Sequence, residues 1–254
     1  MVFYFSATGN TKWIAQTIAE ALGDQAIDIT GADPKAFSFG KDDWLGVCFP
    51  VYATAAPDNV KAFCQELSPN GARTFAVCNY SNFAAYALQN FSETVLPLSC
   101  GYGLLMPDNT SVLGYTYDDE ASTKRKLAEA PALLDAIIQR IKAKEDGVFD
   151  AYVGEVDDPA GMSATFPAVF NSQYALTEPY YVEKDKCVSC GLCEANCPSH
   201  ALELQDGYPL WVKDHCLLCS ACINNCPVEA IEYGDKSQGV YRYTFAKYAK
   251  QSKE

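Results

Sequence analysis

Apolar and polar positions along this chain follow a repeating order of short strands and longer helices. Residues 2–5 form an apolar run of β-formers. Beyond a short turn, Ile14, Ile18 and Leu22, with Ala15 and Ala19 beside them, recur at helical spacing and give one apolar face. Gly23 stands where that helix should end. The pattern continues with a weak strand at residues 25–29, a strong strand at 44–49 and a helix from about Pro57 to Leu67. A strand at 73–78, a helix at 82–95, a strand near 98–106 and a helix at 121–143 follow. Such alternation predicts an α/β domain with a doubly wound parallel sheet. In that fold ligands lie at the carboxyl ends of the strands, beside the topological switch point. Residues 144–182 break the alternation, and a helix within 160–171 followed by an extended approach to the next module is expected there.

The chain has 254 residues, 49% of them hydrophobic and 13% aromatic, enough for a substantial core and one further small module. No apolar run approaches the length needed to span a bilayer. The start, Met1 to Ser6, has neither a positive n-region nor a small-residue cleavage site, so it does not read as a signal peptide. Twelve cysteines suit a reducing compartment, and a cytoplasmic protein is expected. Net charge is −13, and the acidic excess lies in residues 1–235, whereas residues 236–254 are basic. An acidic body argues against nucleic acid, whose phosphates call for Lys and Arg. It would steer a basic redox partner, although acidity also serves solubility.

Between the first strand and its helix runs Ser6-Ala7-Thr8-Gly9-Asn10-Thr11. Strand, hydroxyl-rich turn and helix N-terminus make an anion site, in which backbone amides and the helix dipole point at one spot. The hydroxyls of Ser6, Thr8 and Thr11 can add to it. The loop has no lysine, and neither a Walker loop nor a G-x-G-x-x-G can be written on it, so a terminal phosphate held by dipoles is the expected ligand. A hydroxyl-rich helix cap is the plainer reading of the same residues.

Near the other end, one cysteine sentence occurs twice, 29 positions apart. Cys187, Cys190, Cys193, Cys197, Pro198 and then Cys216, Cys219, Cys222, Cys226, Pro227 both spell C-x2-C-x2-C-x3-C-P. A [4Fe–4S] cube needs four thiolates about a compact core; one tight loop reaches three corners and the fourth must come from elsewhere. Zinc sites use two C-x2-C pairs across a longer spacer, and disulfide frameworks belong to short secreted chains. Asp185 repeats as Asp214 and Ala201-Leu202-Glu203 as Ala230-Ile231-Glu232, so each half is expected to run cysteine loop, short helix after the proline, strand. Cys48, Cys64, Cys78 and Cys100 fall singly in apolar segments, as small buried hydrophobes do. His200 and His215 sit beside the cysteine loops, where they could tune a cluster, but solvent exposure is the simpler expectation.

The duplicated run resembles that of bacterial two-cluster ferredoxins, in which the fourth cysteine of each run ligates the other cluster. The resemblance implies one cluster on Cys187, Cys190, Cys193 and Cys226, and a second on Cys216, Cys219, Cys222 and Cys197. The N-terminal loop resembles the flavodoxin phosphate loop [ST]-x-T-G-x-T, matched at Ser6, Thr8, Gly9 and Thr11. By that likeness the loop would hold the FMN phosphate, and Pro50-Val51-Tyr52-Ala53 and Asn79-Tyr80-Ser81 with Phe83 would flank the isoalloxazine ring. Tyr52 and Tyr80 would lie against the ring, and Asn79 and Ser81 would bond its polar edge. Met106 to Thr110 would either lie near the ring or only turn the chain.

In this order the two modules look like the fused flavodoxin–ferredoxin proteins of anaerobic prokaryotes, the EFR-type ferredoxins. The fold implied is a flavodoxin-like doubly wound parallel sheet over residues 1–145, a linker over 146–180, a small α+β two-cluster ferredoxin domain over 181–235 and a tail over 236–254. The tail interleaves Arg242, Lys247, Lys250 and Lys253 with Tyr241, Tyr243, Phe245 and Tyr248, and is expected to pack back across the domain junction. FMN and two [4Fe–4S] clusters on one chain would convert single-electron into paired-electron traffic. Three functions compete: an electron-transfer protein served by redox protein partners, an FMN-dependent reductase of a small substrate, and a flavin-free ferredoxin with a docking domain. None calls for nucleic acid or membrane insertion.

Overall fold

The computed structural model describes residues 1–114 and 118–251. Six parallel strands form the central sheet: β1 (Val2–Tyr4), β2 (Ala26–Asp28), β3 (Trp44–Pro50), β4 (Arg73–Tyr80), β5 (Cys100–Leu105) and β6 (Val148–Asp150). Their order, β2-β1-β3-β4-β5-β6, places the topological switch between β1 and β3. Both faces of the sheet are covered, which is why its strands read as continuous apolar runs rather than alternating ones. In β1, Val2 and Tyr4 face a core built with α1 (Asn10–Leu22) and a later helix, α4 (Glu120–Lys142). Phe3 and Phe5 face the opposite core, built with α2 (Asp58–Gln65) and α3 (Ala87–Thr94). Cys48, Cys64, Cys78 and Cys100 are all buried in these cores.

Helix α3 begins five residues later than the pattern of apolar positions suggests. The segment between is tied down in a turn: Ala84 N donates to Tyr152 O, and Ala85 holds a left-handed φ of 47°. Strand β6 lies among the residues read as linker. Only three residues long, it offers no alternation to detect, yet Cys100, Gly101 and Tyr102 of β5 pair with it directly. Helix α5 (Pro159–Gln173) then crosses beside the carboxyl ends of the strands, with Thr54 Oγ1 donating to Met162 O and Tyr86 N to Ser163 Oγ.

The C-terminal module is two antiparallel pairs about the cysteine loops. Strand β7 (Tyr180–Val182) pairs with β10 (Ile231–Tyr233), and β8 (Leu202–Gln205) with β9 (Tyr208–Trp211). The short helices α6 (Leu192–Ala195) and α7 (Ala221–Asn224) lie within the cysteine runs, before the prolines rather than after them. Pro198 and Pro227 disfavour helix in the residue before them, so each turn must finish by the fourth cysteine. The duplication reappears in the backbone: Ser189 and Leu218, Gly191 and Ser220, and His200 and Glu229 are pairs at matching offsets, all with positive φ. Finally α8 (Phe245–Gln251) returns to the first domain. Lys253 lies outside the described residues. Among those described, no helix is long and apolar enough to cross a membrane.

Candidate functional site

The loop after β1 is shaped as an anion cradle rather than a capped helix end. Gly9 occupies the cap position of α1 at φ 106°, and no side chain caps the helix. Trp13 N is the first amide to bond within the helix, to Gly9 O, which leaves the amides of Asn10, Thr11 and Lys12 as the open donors of the first turn. Ser6 Oγ is occupied, accepting from Gly9 N at 3.1 Å. Thr8 Oγ1 accepts from Asn109 Nδ2 at 3.0 Å and keeps its own proton free to donate. Thr11 Oγ1 instead gives its proton to Asn79 Oδ1 at 2.6 Å. Dipoles and one free hydroxyl therefore converge here, as a phosphate requires.

This loop is one wall of a cleft at the switch point between β1 and β3. The cleft is also lined by Pro50, Val51 and Tyr52 after β3, by Asn79, Tyr80 and Ser81 at the end of β4, and by Pro107 to Thr110 after β5. Of the residues singled out by sequence, Ser6, Ala7, Thr8, Asn10, Thr11 and those two loops come together there. Three do not. Gly9 faces the C-terminal helix, where a Cβ would stand 2.9 Å from Phe245 Cβ. Ala53 turns to the side of α5, beside Pro167 and Phe170. The Phe83 ring packs on Gly154, whose missing Cβ makes room for it.

The stretch after β5 belongs to the cleft wall, and a buried ion pair holds it. Asp118 accepts from Lys126 Nζ at 2.8 Å and from Asp108 N at 2.7 Å, while the same lysine donates to Ser81 O at 2.6 Å. One buried lysine thus ties two cleft loops together. Tyr80 is anchored from behind, its hydroxyl accepting from Tyr152 N at 3.0 Å; burial pushes its phenol up to about 12.

The eight cysteines of the duplicated runs border two separate cavities. One is lined by Cys187, Cys190, Cys193 and, from the other run, Cys226. The second is lined by Cys216, Cys219, Cys222 and, from the first run, Cys197. Backbone amides point at these sulfurs in matching places: Ala201 N donates to Cys197 Sγ and Ala230 N to Cys226 Sγ, both at 3.3 Å. Burial pushes the Cys216 thiol up to about 11 and the Cys219 thiol up to about 12. Among the described residues no group of three or more His, Cys, Asp or Glu side chains could hold a single metal ion. His200 and His215 are exposed.

The second cavity abuts the cleft. Leu217 and Cys219, like Tyr52, pack against the core that holds Phe5 and Tyr80. Asn225 Nδ2 donates to Ala7 O at 3.1 Å, and Asn224 Nδ2 to Asn109 O at 2.8 Å. The tail completes this junction. Phe245 N donates to Thr8 O at 2.8 Å and its ring stacks on Trp13 at 5.4 Å, while Arg242 forms a buried pair with Glu232 at 2.7 Å. Composition and periodicity carry no signal for such long-range polar contacts.

Comparison with known proteins agrees with this division. A family model described as a flavodoxin domain matches residues 1–92, and one described as a 4Fe-4S dicluster domain matches residues 186–231. The chain is thus a flavodoxin domain joined to a 4Fe–4S ferredoxin domain, an electron-transfer protein of the flavo-iron-sulfur kind. Among solved structures it is similar to rubredoxin oxygen:oxidoreductase from the anaerobe Desulfovibrio gigas. There the identity is 11% and the TM-score 0.36, over 56% of this chain and only 36% of that one. It is also similar to a protein from Bacteroides eggerthii described as a flavoprotein, at 19% identity and TM-score 0.33, over 51% of this chain and 96% of that one. No curated protein matches it.

Proposed function

We propose that this chain passes electrons between two [4Fe–4S] clusters and an FMN, within one molecule. The observation that carries this reading is that Leu217, which lines the second cysteine cavity, also lines a small cavity together with Tyr52, a lining residue of the cleft. The cleft suits a flavin mononucleotide because open amides of Asn10, Thr11 and Lys12 and the Thr8 hydroxyl lie where its phosphate would go. The loops after β3, β4 and β5 flank the space where its ring would lie. In the ferredoxin module, Cys187, Cys190, Cys193 and Cys226 would hold one cluster and Cys216, Cys219, Cys222 and Cys197 the other. When bound, the clusters carry electrons singly and the flavin carries one or two.

The protein's own contribution is distance. Asn224, Asn225 and the tail hold the second cavity beside the cleft, with Tyr52 and Leu217 standing between the two and lining one small cavity together. A basic redox protein is the partner that an acidic body of this kind would attract. Attachment of the ferredoxin module to the cleft wall, through Asn224 and Asn225, favours an electron carrier over a reductase of a small substrate. The test is cofactor analysis of anaerobically purified protein. One FMN and eight irons per chain are expected; iron without flavin would make the first domain a docking module, and four irons would leave one cysteine set empty.

A further inference from the structure

Two hydroxyls beside the second cysteine cavity are buried and have no partner. Ser220 is 2% exposed, lines that cavity next to Cys219, and its Oγ makes no hydrogen bond. Tyr52 Oη is likewise buried and unpaired. Its ring meets Phe5 edge-on at 6.5 Å, and it lines a small cavity together with Leu217, which also lines the cavity of Cys216 and Cys219. An unpaired buried hydroxyl is the exception in folded proteins and costs about 1–3 kcal/mol. Two of them, one lining the cysteine cavity and one beside it, call for an acceptor on that side.

The first cavity has no equivalent. The position matching Ser220 is Gly191, and both residues hold the left-handed turn that opens the short helix, at φ 56° and 75°. Glycine takes that conformation freely, whereas serine is strained in it. The second copy therefore keeps a strained side chain whose hydroxyl is bonded to nothing in the protein.

We propose that Ser220 and Tyr52 donate hydrogen bonds to the sulfurs of the cluster held by Cys216, Cys219, Cys222 and Cys197, and so raise the potential of that cluster alone. This rests on the two-cluster reading above. Hydrogen bonds to cluster or cysteine sulfur stabilise the reduced, more negative state, and they are among the levers that set cluster potential. Neither residue ligates iron; both act as positioning groups on the charge of the cluster next to the cleft. Tyr52 lines the cleft and, with Leu217, the space beside the cysteine cavity, so one side chain borders the two sites.

Redox titration monitored by electron paramagnetic resonance tests this on the full-length protein. Ser220→Gly restores the residue of the first copy and relieves strain, and Tyr52→Phe keeps the ring, so both variants should fold and carry their iron. Each should lower one cluster midpoint and leave the other in place, with the double variant shifted further in the same direction. Ser189→Ala, beside the first cavity, should not move the sensitive midpoint. Two wild-type midpoints, both unmoved in Ser220→Gly and Tyr52→Phe, would overturn the inference alone. Four irons per chain in the wild type would overturn the two-cluster reading and the inference with it. A flavin midpoint that moves in Tyr52→Phe while both cluster midpoints stay would assign the phenol to the flavin and overturn its part in the proposal.

Discussion

Tyr243 donates its phenolic hydrogen to Asn10 Oδ1 at 2.6 Å across 233 positions of sequence. The bond is one link of a closed circuit. Asn10 Nδ2 donates to Pro107 O, Tyr243 N donates to Asn224 Oδ1, Asn224 Nδ2 donates to Asn109 O, and Asn109 Nδ2 donates to Thr8 Oγ1. Phosphate loop, tail, ferredoxin module and the loop after β5 are thereby held in one buried arrangement. Removing one member leaves its partner unsatisfied, which is costlier than losing the bond alone.

Tyr243→Phe should therefore destabilise the protein by about 1–3 kcal/mol, because the Asn10 carbonyl oxygen is left buried and unpaired. Urea unfolding of Tyr243→Phe, Asn10→Ala and the double variant measures this. The double variant should lose less than the two single losses added together. Strict additivity would mean that the two side chains do not support one another.

The two threonines of the phosphate loop should differ. Thr8 keeps a proton to donate, whereas Thr11 has given its own to Asn79. Losing a hydrogen bond to a charged group costs about 1.5–3 kcal/mol, so Thr8→Val should weaken FMN roughly 10- to 150-fold. Thr11→Val should weaken it less and mainly loosen the β4 loop. Flavin fluorescence titration reads the affinity, and iron content should stay unchanged in both. Equal affinity in wild type and the Thr8→Val/Thr11→Val double variant would remove the phosphate from this loop.

The proposed crossed ligation separates neighbours in sequence. Cys197→Ser should damage the cluster held by the second triplet, and Cys187→Ser the other, because Cys197 lines the cavity of Cys216, Cys219 and Cys222. Electron paramagnetic resonance of the reduced variants distinguishes the two signals. Loss of the same signal in both would make each run ligate its own cluster.

Buried thiols set an alkaline limit. Burial raises the Cys64 thiol to about 12, above the unfolded range near 8.5. Below that range both states are protonated and the contribution is fully present. As pH rises the unfolded chain loses its proton first, and stability falls by up to about 1.4 kcal/mol per pH unit for this thiol, until pH passes about 12. Cys64→Ala should lower stability at neutral pH by a constant packing loss, yet give a shallower decline between pH 9 and 11. Parallel curves for the two proteins would place the alkaline loss elsewhere.

Much of this was readable from residues alone, for reasons that differ by region. The central strands could be placed because burial on both faces writes a continuous apolar run, as in Leu45 to Phe49. The cysteine loops could be placed because ligand spacing is a covalent constraint that little else imitates. Strand β6 was invisible because three residues carry no period. The helical turns of the ferredoxin module fell on the wrong side of Pro198 and Pro227 in the reading from sequence. There the left-handed Gly191 and Ser220 start the helix inside the cysteine run. Phe83 was read as an aromatic for the cleft, but the bare face of Gly154 offers its ring a better seat. What no local pattern could show is the asparagine–tyrosine circuit, since each of its links joins residues from different modules or loops.

The central claim is that flavin and clusters exchange electrons inside one molecule, and stopped-flow reduction tests it most directly. With a one-electron donor in excess, the rate of flavin reduction should be independent of protein concentration. It should fall sharply in Cys219→Ser, which removes a ligand of the cavity beside Tyr52. A flavin reduction rate that rises in proportion to protein concentration, or one that is unchanged in Cys219→Ser, would contradict the account.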